Sequence, residues 1–145
     1  MTTLKEIKKA VTAVLKKAYP ENKVYGVDTT EGYEKPSFFV YVTQTFSETT
    51  KNAAHKNVEI EVDFVQNSPN ESEAMEFFEK MERIFHHKLD TGKRKLTTSD
   101  FSMEFQGEHQ NIPCFFFNLE FWDAFEKEPD NSVYMGEMIM RQEVK

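Results

Sequence analysis

His86-His87, the alternating acids Glu59, Glu61 and Asp63, the run Gly92-Lys93-Arg94-Lys95 and Cys114 are the places where residue type and spacing could support chemistry. Consecutive residues on a helix point about 100° apart, so the rings of His86 and His87 cannot easily share one ion. No acid nearby completes a helical His-x-x-x-His arrangement. The pair reads as surface histidines near a helix C-terminus, where positive charge is welcome. Glu59, Glu61 and Asp63 fall on one side of a strand and could hold a hard cation or do acid–base work. At about 7 Å spacing their repulsion in water is about 0.6 kcal/mol. Such a stripe is cheap to keep as a solvated face, or as a face that meets cationic groups on another subunit.

The basic run fails as a phosphate loop. A glycine must stand five residues before the Gly-Lys pair, where this chain has His87, and Arg94 takes the place of Ser or Thr. It reads as a solvated basic turn, with contact to an acidic partner or to a DNA backbone as the alternative. Cys114 follows Pro113 at a strand start with no evident histidine base, which suits a buried, idle thiol. One cysteine excludes an internal disulfide and a cysteine zinc site of the usual ligand count. Gly-x-Gly-x-x-Gly, Gly-x-Ser-x-Gly and His-Glu-x-x-His are all absent. The expectation is a protein that is not an enzyme, with no cofactor and no metal ligands.

Composition narrows the class. At 145 residues, 39% hydrophobic and 30% charged, the chain fits one globular domain and not a disordered one. No apolar run approaches the roughly 20 residues of a spanning helix. The opening Met1-Thr2-Thr3-Leu4-Lys5 passes into a charged amphipathic pattern and not into a signal-peptide core. A net charge of -7 argues against a main task of gripping nucleic acid phosphates. Phenylalanine (14) outnumbers leucine (5), which suits a sheet-based core.

Elements that would position these residues follow from periodicity. Thr3 and Glu6 form a capping box, and Leu4, Ile7, Val11, Val14, Leu15 and Ala18 make one stripe opposite Lys5, Lys9 and Lys16. Pro20 closes that helix. A short β piece at 23–27 and a polar turn at 29–36 lead into a strand from Phe38 to Thr45. Val58, Ile60, Val62 and Phe64 alternate with acids as a half-buried partner strand, paired antiparallel to the first. Ser47 to Asn57 reads as a long polar connection, mobile until a neighbour orders it. Ser68-Pro69-Asn70-Glu71 reads as a second helix start, with Ser68 the cap. Ala74, Phe77, Phe78, Met81, Ile84 and Phe85 form its stripe, and it should stop near His87. Phe101, Met103 and Phe105, then Phe115, Phe117, Leu119 and Phe121, predict a closing hairpin. The sum is an α+β sandwich: a mostly antiparallel sheet of about four to five strands with two helices on one face. Residues 1–128 form a single domain and 129–145 a C-terminal extension or arm.

Glu31-Gly32-Tyr33-Glu34-Lys35-Pro36-Ser37-Phe38-Phe39-Val40, after a Leu-x-x-Ile-x-x-Ala-Val helix, resembles the small tail terminator (tail completion) proteins of phages and prophages in Gram-positive bacteria. The helix after Ser68-Pro69-Asn70, the strand Phe117-Asn118-Leu119-Glu120-Phe121-Trp122-Asp123 and the exit Glu128-Pro129-Asp130-Asn131 match in order. The resemblance implies a hexameric ring that caps the tail tube at its final length and offers a joining surface to the head connector. It implies partners in the chain itself, the tube protein and the connector, and a place in the host cytoplasm during assembly and then at the neck end of the virion tail. No membrane and no sequence-specific nucleic acid partner is expected. Another head–tail joining or minor tail protein, or a monomeric cytosolic binding domain using its Phe-rich sheet, are the alternatives.

Interface residues rest on pattern. Residues 1–25 carry six Lys against two Glu, a local +4 that leaves -11 on the remainder. Head-to-tail rings join two different patches, and opposite charge favours that docking. The candidates are the acidic Glu59, Glu61 and Asp63 against basic Lys93, Arg94 and Lys95, with Lys51 and Lys56 from the polar connection.

Overall fold

A computed structural model describes residues 1–125. The first helix, α1 (Leu4–Ala18), starts as its capping box requires. The Glu6 amide donates to Thr3 Oγ1 at 3.1 Å, and the Thr3 amide donates to Glu6 Oε1 at 2.8 Å. Strands β1 (Lys23–Tyr25), β2 (Ser37–Thr49) and β3 (Ala53–Val65) precede helix α2 (Glu71–Ile84). Strands β4 (Lys88–Asp90), β5 (Lys95–Gln106) and β6 (Ile112–Ala124) follow it.

The strands form one six-stranded sheet in the order β1-β2-β3-β6-β5-β4. All neighbours pair antiparallel except β1 with β2. The architecture is the expected α+β, with six strands because the three-residue β1 and β4 trim the two edges.

One face of this sheet makes the core. Phe38, Val40, Val58, Ile60, Val62, Phe115, Phe117 and Leu119 are buried there with Ile7, Val11 and Leu15 of α1 and Phe77 and Met81 of α2. Both helices therefore cover the same face. Each fully buried aromatic or aliphatic side chain contributes about 1.5–3 kcal/mol. Phenylalanine replaces leucine as the filler, and its rings meet in chains such as Phe38–Phe64–Phe77 and Phe85–Phe117–Phe101.

The structure corrects several boundaries. Ser47 to Asn57 is not a long connection: β2 and β3 run through it as a hairpin, turned at 50–52. Thr49 pairs with Ala54, and the Thr50 amide donates to the Ala53 carbonyl at 2.7 Å. The register set by the buried alternation lower down carries the pairing outward, where β2 is exposed from Thr43 to Thr49 while Ala54 of β3 stays buried. The second helix is capped by Asn70 and not Ser68. Asn70 Oδ1 accepts from the Glu73 amide at 3.0 Å, and the buried Gln66 side chain donates to the Asn70 carbonyl and to Glu73. In the first helix Ala10 turns inward while Leu4 is left 42% exposed. Met103 and Phe105, read as part of the alternating closing hairpin, are 61% and 37% exposed; Phe105 meets Phe78 of α2 edge-on with ring centroids 5.7 Å apart, and Met103 stands further out. The proposed arm at 129–145 lies outside the described residues.

Candidate functional site

The second face of the sheet has no helix over it among the described residues. Register lines its side chains in rows: Phe39, Asp63, Cys114 and Glu104; Tyr41, Glu61, Phe116 and Ser102; Thr43, Glu59, Asn118 and Ser99. The acidic stripe thus occupies the middle of the bare face. It is half-buried, flanked by Phe39 and Tyr41 on one side and Phe116 on the other.

Crowding changes the charge of the stripe. Burial, then the neighbouring Asp63 carboxylate, pushes Glu61 up to about 8. The crowded Glu61–Asp63 pair therefore favours keeping a proton, and Asp63 Oδ1 is buried without a hydrogen-bond partner. Oxygens of Glu61 and Asp63 and the sulfur of Cys114 lie within 4.8 Å of one another. They could converge on one ion, but an ion would have to displace protons that crowding favours on the carboxyl pair and that burial favours on the thiol. Cys114 is buried, as expected, and its thiol donates to the Ile112 carbonyl at 3.4 Å.

The basic residues are drawn mostly inward. Lys56, on the helical side of β3, has a side chain 14% exposed and reaches Asp123 Oδ2 at 3.3 Å. Asp123, 3% exposed, also accepts from the Thr2 amide at 3.0 and 3.1 Å, and Arg94 Nη1 lies 3.8 Å from it. Arg94 donates to the Trp122 carbonyl at 2.9 Å and lies over the Phe121 ring. Lys93 Nζ meets Glu6 Oε2 at 2.8 Å. That contact, followed by the Thr3 amide, lowers Glu6 to about 2. The turn between β4 and β5 is thus a latch on the first turn of α1 and the end of β6. Lys51 sits exposed at the β2–β3 turn. Lys95 is exposed and, by alternation with buried Leu96, stands at a corner of the bare face with Lys88. The structure brings Glu59, Glu61 and Asp63 together and separates them from Lys56, Lys93 and Arg94. α2 stops at Ile84 with Phe85 as its cap, three residues short of the expected end near His87; His86 and His87 follow it in the turn to β4, with His87 in the left-handed region at φ 73° and their rings 6.3 Å apart.

Family comparison gives this geometry a context. A family model described as phage tail terminator protein matches residues 6–131. The chain belongs to the phage tail terminator protein family. No curated protein matches it. A solved structure matches with a TM-score of 0.50 at 12% identity, over 89% of this chain and all of the other, which supports the fold. A terminator is a structural component of the tail, so the features that matter are surfaces and not a reaction centre.

One such surface has no counterpart in the sequence reading. Beyond the stripe, His55 stacks on Trp122 at 4.8 Å between centroids and meets Phe46 at 5.4 Å. Its Nε2 lies 2.7 Å from Glu120 Oε2 and its Nδ1 3.5 Å from Glu48 Oε1. Trp122 is 58% exposed and Phe46 40%. The available signal was phase: Trp122 falls between buried Phe121 and Asp123, so an aromatic ring had to point away from the core. No helix of the described residues is long and apolar enough to cross a membrane.

Proposed function

We propose that this terminator assembles into a ring, hexameric as the resemblance implies, that closes the tail tube at its final length and presents the joining surface for the head connector. The family match over residues 6–131 carries the reading. The bare sheet face supports it: acids in the middle, an aromatic group at Phe46, His55 and Trp122, and Lys88 and Lys95 at a corner. Such a face fits a protein partner with basic groups, the tube or a neighbouring subunit. Lys51, exposed at the hairpin turn, would join that contact. The phage would infect a Gram-positive host and the protein would act in the host cytoplasm before entering the virion. The role involves no catalysis.

The test is capping. Purified tail tubes mixed with the protein should end in blunt, closed rings by electron microscopy. Glu59→Lys/Glu61→Lys should remain folded and lose capping. Unchanged capping by that variant would reduce the stripe to a solvated surface, and failure of the native protein to bind tubes would refute the role.

A further inference from the structure

The sheet has two long open edges, and their positions are complementary. β1 covers β2 from Ser37 to Phe39, and among the described residues no strand pairs with the outer edge of Val40–Thr49. On the opposite side β4 covers Lys95–Thr97, the Thr98 amide donates to the His87 carbonyl, and no described strand pairs with the outer edge of Ser99–Gln106. Unpaired edges are templates for another strand, and natural proteins guard them with lysine, proline or bulges. Neither open stretch contains lysine or proline, and each carries one bulge, at Thr45 and between Ser99 and Ser102.

We propose that subunits join edge to edge: β2 of one copy pairs antiparallel with β5 of the next. The proposal rests on the ring reading and names its interface. Direction agrees, since β2 and β5 run oppositely in the sheet, so a neighbour placed in the same orientation presents β5 antiparallel to β2. The contact is heterologous, as a closed ring requires. The covered ends act as stops. β1 ends at Tyr25, opposite Phe39, and β4 starts at Lys88, opposite Thr97, so only Val40–Thr49 and Ser99–Gln106 can meet.

Side-chain phase then restricts register to steps of two residues. With Thr43 opposite Glu104, Val42 lies beside Phe105 and Gln44 beside Met103 on the helical face. That placement covers Met103 and what remains exposed of Phe105. A groove lined by Leu4, Lys5, Val27, Val42 and Thr43 already runs along this stretch of β2, and Val27 (77% exposed) and Leu4 would pack on the incoming strand. The occupant is a second copy of this chain, held largely by backbone hydrogen bonds. The acidic sheet face stays free for the tube.

Cross-linking tests it. In the full chain, with Cys114 buried as background, Thr43→Cys/Glu104→Cys and Thr43→Cys/Ser102→Cys are oxidised after assembly on tail tubes. A ladder of covalent multimers from either pair, absent from the single variants, is the expected result. Thr43→Lys should lower the assembled fraction at least tenfold while leaving the monomer melt unchanged. Native-like rings without cross-links, and with Thr43→Lys still assembling, overturn the edge interface but leave the terminator role intact. A native protein that never assembles or caps overturns both. If removing residues 126–145 abolishes exchange protection of Val40–Thr49 in the monomer, the chain's own C-terminal segment occupies the edge and the proposal is wrong.

Discussion

Replacing Glu61 by glutamine should stabilise the protein, and the effect should depend on pH in a defined way. Glu61 sits in the middle of the bare face between Asp63 and Glu59, with Glu104 across the sheet, and is pushed up from 4.5 to about 8. Between those values the folded protein keeps a proton that the unfolded chain has released. Stability therefore falls as pH rises from about 4.5 to 8 and levels off above. The full shift converts to a ceiling of about 5 kcal/mol at about 1.36 kcal/mol per unit. Glu61 is half-buried and partly screened by water, which reduces the expected loss to about 1–2 kcal/mol. Glutamine has the shape of the protonated acid and can still donate to Asp63, so Glu61→Gln escapes that loss. Urea titrations of both proteins at pH 5, 7 and 9 should coincide at the lowest pH and diverge to about 1–2 kcal/mol at the highest. Groups common to both proteins cancel in the difference. Parallel pH curves, or a variant less stable at pH 9, would refute the crowded-carboxyl account.

The buried ion pair gives an opposite expectation. Asp123→Asn leaves the Lys56 ammonium without its partner and weakens the anchor of the Thr2 amide, and should cost about 3 kcal/mol in denaturant unfolding; a loss below about 1 kcal/mol would mean that water solvates Lys56. Helix capping separates two adjacent residues: Asn70→Ala should cost about 1 kcal/mol, whereas Ser68→Ala should stay within about 0.5 kcal/mol. The reverse order in thermal melts would restore Ser68 as the cap.

The sequence was legible where one face of an element is dry. The capping box of α1, the Val58–Phe64 alternation and the Phe115–Phe121 alternation each pair a local rule with a buried stripe, and each stands in the structure as expected. The upper hairpin was illegible for the matching reason. From Thr43 to Thr49 both sides of β2 see water, so no period of two appears. What holds the segment is backbone pairing inherited from the buried rows below, with a supply of β-branched threonines as the remaining hint. Asn70 was hidden by the stronger-looking Ser68-Pro69 start. The basic residues were visible as charges but not as contacts. Lys56 finds Asp123 67 residues away, and Arg94 finds the Trp122 carbonyl 28 residues away. Only the topology, which sets β6 between β3 and β5, brings those groups to the foot of α1.

That division also bears on how such a surface can do its work. The helical face is specified residue by residue, because a buried ring must fit its neighbours. An open strand edge is specified by the backbone, which presents the same amides and carbonyls whatever side chains it carries, provided that lysine and proline stay away. A ring closed by such edges needs correct strand ends, here set by β1 and β4, and a few apolar side chains such as Met103 and Phe105 on one face. The fold itself persists at 12% identity in the solved structure it matches. A function carried by strand ends and free backbone would survive the same divergence without leaving a motif. On the edge-to-edge proposal, the two strand edges left partly open among the described residues belong to the same design as the core: the sheet would be both the body of the subunit and its means of joining the next.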